Sequence, residues 1–88
     1  MADLIPQHPG IELKKLISER GMNLSQFARS IDVSSSRISE IVSGRRSITI
    51  DSAVKFADTF STTPEYWLTK QNEYDLYCRY GMVQEYKD

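Results

Sequence analysis

Residues 24–44 read LSQFARSIDVSSSRISEIVSG, and the spacing of their apolar side chains decides how this part of the chain folds. Apolar residues recur at intervals of three and four, which is the spacing of one face of an α-helix. The first group is Leu24, Phe27, Ala28 and Ile31, and the second is Ile38, Ile41 and Val42. The stretch therefore predicts two short helices, over residues 25–31 and 35–43, joined by residues 32–34.

So short a connection forces the two helices to cross steeply, which is the geometry of a helix-turn-helix. Ala28 is small enough to let the second helix approach closely, and Val33 is placed to fill the turn. Ile38 and Ile41 are placed to pack the second helix onto the first. We therefore predict a helix-turn-helix over roughly residues 25–44.

The same helical spacing continues on both sides of this unit. Further apolar blocks lie at Leu13, Leu16 and Ile17, at Ala53, Phe56, Ala57 and Phe60, and from Trp67 and Leu68 to Tyr74 and Tyr77. Two prolines and a following glycine predict an irregular arm over residues 1–9. We predict a single all-α domain: this arm, a four-helix body over residues 10–62, and an extended fifth helix and tail over residues 63–88.

Capping residues separate these blocks. Gly21 and Gly44 are placed to end the first and third helices in the left-handed conformation. The predicted N-caps of helices two to five are Ser25, Ser34, Thr49 and Thr63. Thr63 precedes a proline, which is favoured at the first helical position.

Charge is distributed unevenly along a chain of 88 residues whose formal net charge is -1. Residues 1–46 hold seven Lys and Arg against five acids, or +2, whereas residues 47–88 hold four against seven, or -3. The basic half contains the predicted helix-turn-helix, and a positive surface is what contact with phosphate requires.

The second helix of this unit carries side chains suited to base edges in the major groove of DNA. Hydroxyls allow close approach and can donate or accept, and arginine binds guanine with two hydrogen bonds. The predicted base contacts are Ser35, Ser36, Arg37, Ser39 and Glu40. The predicted phosphate contacts are Ser25, Gln26, Ser34, Arg45 and Arg46.

These features also have ordinary structural interpretations. A run of three serines often forms a loop or a cap, although Ser34 alone suffices as the cap. Arg45 and Arg46 could form a solvated surface pair, and Glu40 could neutralise a neighbouring arginine.

Groups for catalysis or metal binding are scarce in this sequence. His8 is the one histidine and Cys78 the one cysteine, and no glycine-rich phosphate loop or metal-ligand spacing is present. We expect no enzymatic activity, no metal and no cofactor. We expect His8 to cap or orient the first helix and Cys78 to be a small core or interface residue. The absence of a long apolar segment and of cysteine pairs predicts a cytoplasmic protein.

Several segments resemble the HigA/VapI-type antitoxins of the Cro/repressor-like (XRE) helix-turn-helix family. Besides residues 24–44, they are HPG at 8–10, GRRSIT at 44–49, TPEYWL at 63–68 and QNEYDL at 71–76. The resemblance implies a Cro/repressor-like five-helix bundle that represses its own operon as a dimer. It also implies neutralisation of a partner toxin of the RelE-like ribonuclease class, which cleaves mRNA on the ribosome. One departure is Asp32, which stands where the family usually has a glycine and tolerates the left-handed conformation better than most residues.

All five tyrosines and the single tryptophan lie in the last 23 residues: Tyr66, Trp67, Tyr74, Tyr77, Tyr80 and Tyr86. Trp67 and Tyr74 are predicted to pack on the body, and an aromatic surplus beyond them favours an interface. We hypothesise a homodimer through Tyr74, Tyr77 and Tyr80. The alternative is that Tyr77 and Tyr80 fold back onto their own subunit.

Three functions fit these observations. The first is an antitoxin that also represses its operon, and the second is a stand-alone repressor of phage or mobile-element type. The third is a protein-binding inhibitor whose helix-turn-helix no longer reads DNA.

Overall fold

The computed structural model describes residues 5–81, and in that range the regular structure consists of five α-helices. They are α1 (Gly10–Glu19), α2 (Leu24–Ser30), α3 (Ser35–Val42), α4 (Ile50–Phe60) and α5 (Pro64–Tyr80). The predicted all-α, five-helix fold with a long last helix is confirmed. Residues 1–4 of the predicted arm and residues 82–88 of the predicted tail, with Tyr86, lie outside the described residues.

The start of α2 differs from the prediction that Ser25 is its N-cap. Asn23 Oδ1 accepts from the Gln26 backbone N–H at 2.8 Å, while Gln26 Oε1 accepts from the Asn23 backbone N–H at 2.9 Å. This reciprocal capping box satisfies two backbone donors that would otherwise lack partners. Ser25 therefore lies within the first turn of the helix, because asparagine is at least as good a cap and stands three residues before a glutamine.

The remaining predicted caps are confirmed. Ser34 Oγ accepts from the Arg37 backbone N–H at 3.2 Å. Thr49 forms a capping box with Ser52, and Thr63 caps α5 ahead of its proline. Gly21 and Gly44 follow α1 and α3 with φ angles of 73° and 83°, in the region that glycine adopts without strain.

Side chains from all five helices share one apolar core. Its largest fully buried members include Trp67, Phe27, Phe56, Leu13, Ile17, Ile38 and Ile41. Phe56 meets the edge of Trp67 at 5.4 Å between ring centroids, and Phe60 stacks on Phe27 at 5.6 Å. These contacts join α5 to the helix-turn-helix, so the predicted packing of Trp67 on the body is confirmed.

Polar contacts fix α5 at both sides of Trp67. Gln71, which is buried, accepts from the Ile48 backbone N–H at 2.8 Å and so holds the segment between α3 and α4. Tyr66 donates its hydroxyl proton to Glu12 of α1. Burial, this hydrogen bond and the charge of Glu12 raise the pKa of Tyr66 to about 12.

The C-terminal end of α5 is exposed. Cys78 lies there, so the expectation of a core position for Cys78 is wrong.

The N-terminal arm packs against the end of α3. His8 is buried, and its Nδ1 accepts from the Gly10 backbone N–H at 2.9 Å, which orients the start of α1 as predicted. Gly10 lies so close to α3 that a Cβ atom at this position would fall 2.0 Å from the Ile41 carbonyl oxygen. The arm and the first turn of α1 therefore support the C-terminal end of α3.

Mild acidification should destabilise the fold through His8. Burial lowers the pKa of His8 below its ordinary value of 6.5, against the smaller raising effects of a hydrogen bond to the Arg46 backbone and the charge of Asp75. Below pH 6.5 the unfolded chain thus binds this proton more readily than the folded one. The stabilisation is complete above that pH and is lost as the pH falls towards the folded-state pKa.

Urea unfolding at about pH 7.5 and pH 5.5 would measure this loss, since both values bracket the ordinary histidine pKa. The His8→Gln variant, which has no titrating ring, should lose less stability over the same interval. Equal losses in the two proteins would show that His8 does not carry the effect.

Candidate nucleic-acid interface

The turn between α2 and α3 has the geometry that the sequence predicts. Asp32 adopts the left-handed conformation with φ of 61°, and the Val33 backbone N–H donates to the Ala28 carbonyl at 2.9 Å. Ala28 is buried and Val33 is half-buried against the core. Asp32 thus adopts the left-handed conformation at the turn position where a glycine is usual, and α2 and α3 remain close together.

An open cleft of about 420 Å³ lies over this turn. Its walls include Ser25 and Arg29 of α2, Ser34 in the turn, and Ser35 of α3. Hydroxyls and a guanidinium are groups that hydrogen-bond phosphate oxygens. Two predicted phosphate contacts, Ser25 and Ser34, are therefore brought together with Ser35 from the predicted base-reading set.

Arg29 is a site residue that the sequence analysis did not identify. It is exposed in the last turn of α2 and faces the same cleft as Ser25. The signal that could have identified it is the interval of four residues from Ser25, which places both on one helix face.

The outward face of α3 is mainly serine. Ser35, Ser36 and Ser39 are exposed, whereas Arg37 and Glu40 are half-buried at the edge of that face. A half-buried arginine can lay its methylene stem on apolar surface and keep its guanidinium in solvent. The five predicted base contacts thus share one side of the helix, with the three hydroxyls on its exposed part and Glu40 and Arg37 along one edge.

Glu40 and Arg46 form an ion pair, with 2.7 Å from Glu40 Oε1 to both Nε and Nη2 of Arg46. The Glu40 carbonyl also accepts from the Arg45 and Arg46 backbone N–H groups. The structure therefore places Glu40 as the neutralising partner of an arginine, the alternative considered for it. Arg45 is exposed beside this pair.

Gln26 is less free than predicted, because its Oε1 is occupied by the capping box with Asn23. Its amide nitrogen still has two hydrogens to donate. Ser34 likewise uses an oxygen lone pair as the cap of α3, and its hydroxyl proton can still be donated.

The charges around this face sum to a positive value. The basic groups are Arg29, Arg37, Arg45 and Arg46, and the acidic groups are Asp32 and Glu40, so four less two is +2. A positive surface with short hydroxyls at its centre is suited to a polyanion whose bases lie within a groove.

Comparisons with known proteins agree with this geometry. A family model described as helix-turn-helix matches residues 13–67. An addiction-module antidote protein of a HigA family from Coxiella burnetii is 36% identical with a TM-score of 0.76, covering 92% of this chain and 98% of that one. The structure of Pseudomonas aeruginosa antitoxin HigA with the higBA promoter is 31% identical with a TM-score of 0.80, covering 86% of this chain and 84% of the other.

Among curated proteins, Virulence-associated protein A' of Dichelobacter nodosus is 38% identical over 72 residues. The match covers 81% of this chain and 63% of that protein, so the chain spans less than two thirds of its length. Within residues 5–81, the structure has no helix long and apolar enough to cross a bilayer.

Proposed function

The chain belongs to the XRE-type helix-turn-helix family, with HigA antitoxins among its structural neighbours, and from that premise we propose that it is an autoregulating antitoxin. It acts in the cytoplasm by binding rather than by catalysis. It represses its own operon through sequence-specific DNA binding and neutralises a toxin encoded beside it.

The observation that carries the DNA-binding part of this proposal is the surface of α3. Its exposed side chains are three serines, and arginines lie on both sides of them. A similar chain, P. aeruginosa antitoxin HigA, has been solved with the higBA promoter, which supports DNA binding by this fold. We assign base contacts to Ser35, Ser36, Ser39 and Arg37 and phosphate contacts to Arg29 and Arg45.

The direct test is binding to the DNA upstream of the chain's own coding sequence, compared with a shuffled duplex of equal length. We expect the native sequence to bind at least roughly 10³-fold more tightly, as is usual for specific sites. Equal affinity for the two duplexes would refute the repressor function and favour the protein-binding inhibitor.

Removing the Arg45 side chain should weaken binding to both duplexes by similar factors. Arg45 is exposed, and an arginine that contacts phosphate does not distinguish one base sequence from another. Because the variant neutralises one phosphate fewer, Arg45→Ala should also lower the slope of log affinity against log salt by about 1. Lys14→Ala, which removes an exposed charge on α1, is the matched control and should leave the slope unchanged. A slope that Arg45→Ala does not alter would remove this residue from the interface.

The exposed side chains at the end of α5 support a homodimer. Leu76 and Tyr80 are exposed one turn apart, at 39% and 68% of their full accessibility, and Tyr77 is half-buried beside them. Tyr74 instead contacts His8 of its own subunit, with 5.1 Å between the ring centroids. We propose that Tyr77, Tyr80 and Leu76 form a homodimer interface, which would set two copies of α3 about 34 Å apart on a palindromic operator.

Sedimentation equilibrium tests this interface. The wild-type chain should be dimeric at micromolar concentration, and Leu76→Lys combined with Tyr80→Glu should be monomeric and still folded, because both side chains are exposed. A wild-type chain that stays monomeric at high micromolar concentration would contradict the dimer.

The toxin partner is tested by co-expression with the adjacent gene. We expect a small basic protein whose toxicity this chain suppresses and with which it co-purifies. If no such gene adjoins and operator binding is specific, the stand-alone repressor is the correct function.

A further inference from the structure

One lysine side chain bonds the C-terminal end of α2 to α4. Lys55 of α4 donates from Nζ to the Ile31 carbonyl at 3.0 Å. Ile31 is the C-cap of α2, so its carbonyl lies at the negative end of the helix dipole and has no acceptor role inside the helix. Lys55 is half-buried, which shields the contact partly from water. The ammonium therefore satisfies a carbonyl group directly before the turn of the helix-turn-helix.

A second contact between α2 and α4 lies one helical turn earlier. The Phe27 ring centroid is 6.2 Å from that of Phe56 and 5.6 Å from that of Phe60. Phe27 and Ile31 are four residues apart, so they lie on the same side of α2, separated by about 6 Å along its axis. The aromatic contact alone would allow α2 to tilt about Phe27. The bond from Lys55 to Ile31 opposes that tilt.

The turn after α2 is held in shape by its own backbone. The Asp32 N–H donates to the Arg29 carbonyl at 3.3 Å, and the Val33 N–H donates to the Ala28 carbonyl at 2.9 Å. Both bonds lie within the unit formed by α2 and the turn. They therefore fix the shape of this unit, whereas the Lys55 bond fixes its position against α4.

Both sides of this turn carry residues of the candidate interface. Arg29 lies on α2 two residues before Ile31, and Ser35 begins α3 four residues after it. Hydrogen bonds to base edges weaken steeply when donor and acceptor are misaligned. A change in the direction of α2 would therefore displace the start of α3 from the position in which it can read bases.

We propose that Lys55 is a positioning residue for DNA binding, whose ammonium holds the end of α2 against α4 so that α3 enters the groove in its reading orientation. The proposal rests on the DNA-binding function proposed above. Lys55 acts through the Ile31 carbonyl and not by touching DNA, in contrast to the arginines assigned to phosphate and base contacts.

Two substitutions of Lys55 test this role. Lys55→Met removes the ammonium and keeps an unbranched apolar side chain, whereas Lys55→Arg keeps a charged donor. We expect Lys55→Met to bind the upstream DNA about 10-fold more weakly, the equivalent of one net hydrogen bond, and to lose part of its preference over the shuffled duplex. The slope of log affinity against log salt should not change, because no phosphate contact is lost. Lys55→Arg should restore both affinity and preference.

Lys70→Met is the matched control. It removes an ammonium on α5 that is paired with Glu12 at 3.4 Å, outside the helix-turn-helix, and should leave affinity and preference unchanged. Emission of the buried Trp67 confirms that each variant is folded in the binding assay. A Lys55→Met protein that is less stable in urea but binds DNA with wild-type affinity would show that the contact is merely structural. A salt slope lowered by about 1 would instead make Lys55 a phosphate contact, and either result would overturn the proposal.

The chemical shift of the Ile31 carbonyl carbon in the free protein is a readout that needs no DNA. It should change in Lys55→Met, which loses the donor, and stay near the wild-type value in the Lys70→Met control. An unchanged shift in Lys55→Met would overturn the contact itself. Failure of the wild type to prefer its upstream DNA would refute the proposed function and the positioning role together, whereas failure of the Lys55 predictions alone would refute only the positioning role.

Discussion

Replacing Gly10 with alanine should lower the free energy of unfolding by about 3 kcal/mol, at the upper end of the range for overpacked cores. A Cβ atom at this position would lie 2.0 Å from the Ile41 carbonyl oxygen and 2.9 Å from its carbonyl carbon. Both atoms belong to the backbone of α3, so they cannot move aside as a flexible side chain could. Helix propensity alone would make the alanine variant more stable than the wild type by about 0.5–1 kcal/mol. A loss of stability would therefore show that the clash with α3 outweighs the gain in helix propensity.

The measurement is urea unfolding followed by the fluorescence of Trp67. Gly21→Ala is the matched control, because an added Cβ there meets no atom within 4 Å and only the positive φ of 73° is strained. That strain should cost about 1–2 kcal/mol, less than the clash at Gly10. A Gly10→Ala protein as stable as the wild type would mean that α1 and α3 lie farther apart than in this structure.

The second large effect should come from Arg37→Ala, which we expect to weaken operator binding by about 1–3 kcal/mol, or roughly 5- to 150-fold. Arg37 stands in the first turn of α3, where recognition helices approach base edges. Within residues 5–81 its guanidinium has no ion pair or hydrogen bond to another residue, so it is available to guanine.

Arg37→Lys distinguishes base recognition from simple charge. Lysine keeps the positive charge and loses the planar pair of donors, so it should also reduce the preference for the operator over shuffled DNA. Arg45→Ala should leave that preference intact while weakening both complexes. If Arg37→Ala keeps the wild-type preference, the base-reading assignment of Arg37 is wrong.

The parts of the fold that depend on neighbours in sequence could be predicted. The intervals of three and four between apolar residues predicted all five helices. Ser34, Thr49 and Gly44 predicted helix ends, because a capping residue bonds to backbone groups within one helical turn of its own position. The N-cap of α2 was assigned wrongly because two good capping residues, Asn23 and Ser25, stand two positions apart. Only the reciprocal bond to Gln26 decides between them.

The parts that depend on contacts between distant residues could not be predicted. The His8 ring lies against Gly44 and Gly10 lies against Ile41, and no local sequence pattern predicts either contact. Glu40 was predicted to read a base, with neutralisation of an arginine as the alternative. Its side chain meets Arg46 only because Gly44 turns the chain back after α3.

The burial of Trp67 has a practical consequence for these experiments. The single tryptophan is fully buried, its indole N–H donates to Thr62 Oγ1 at 2.8 Å, and its aromatic neighbours are Phe56, Phe60 and Tyr66. Its emission should therefore shift to longer wavelength when the core opens to water. The molecule carries an intrinsic optical reporter of its folded state, with which loss of stability can be told apart from loss of binding in one unlabelled sample.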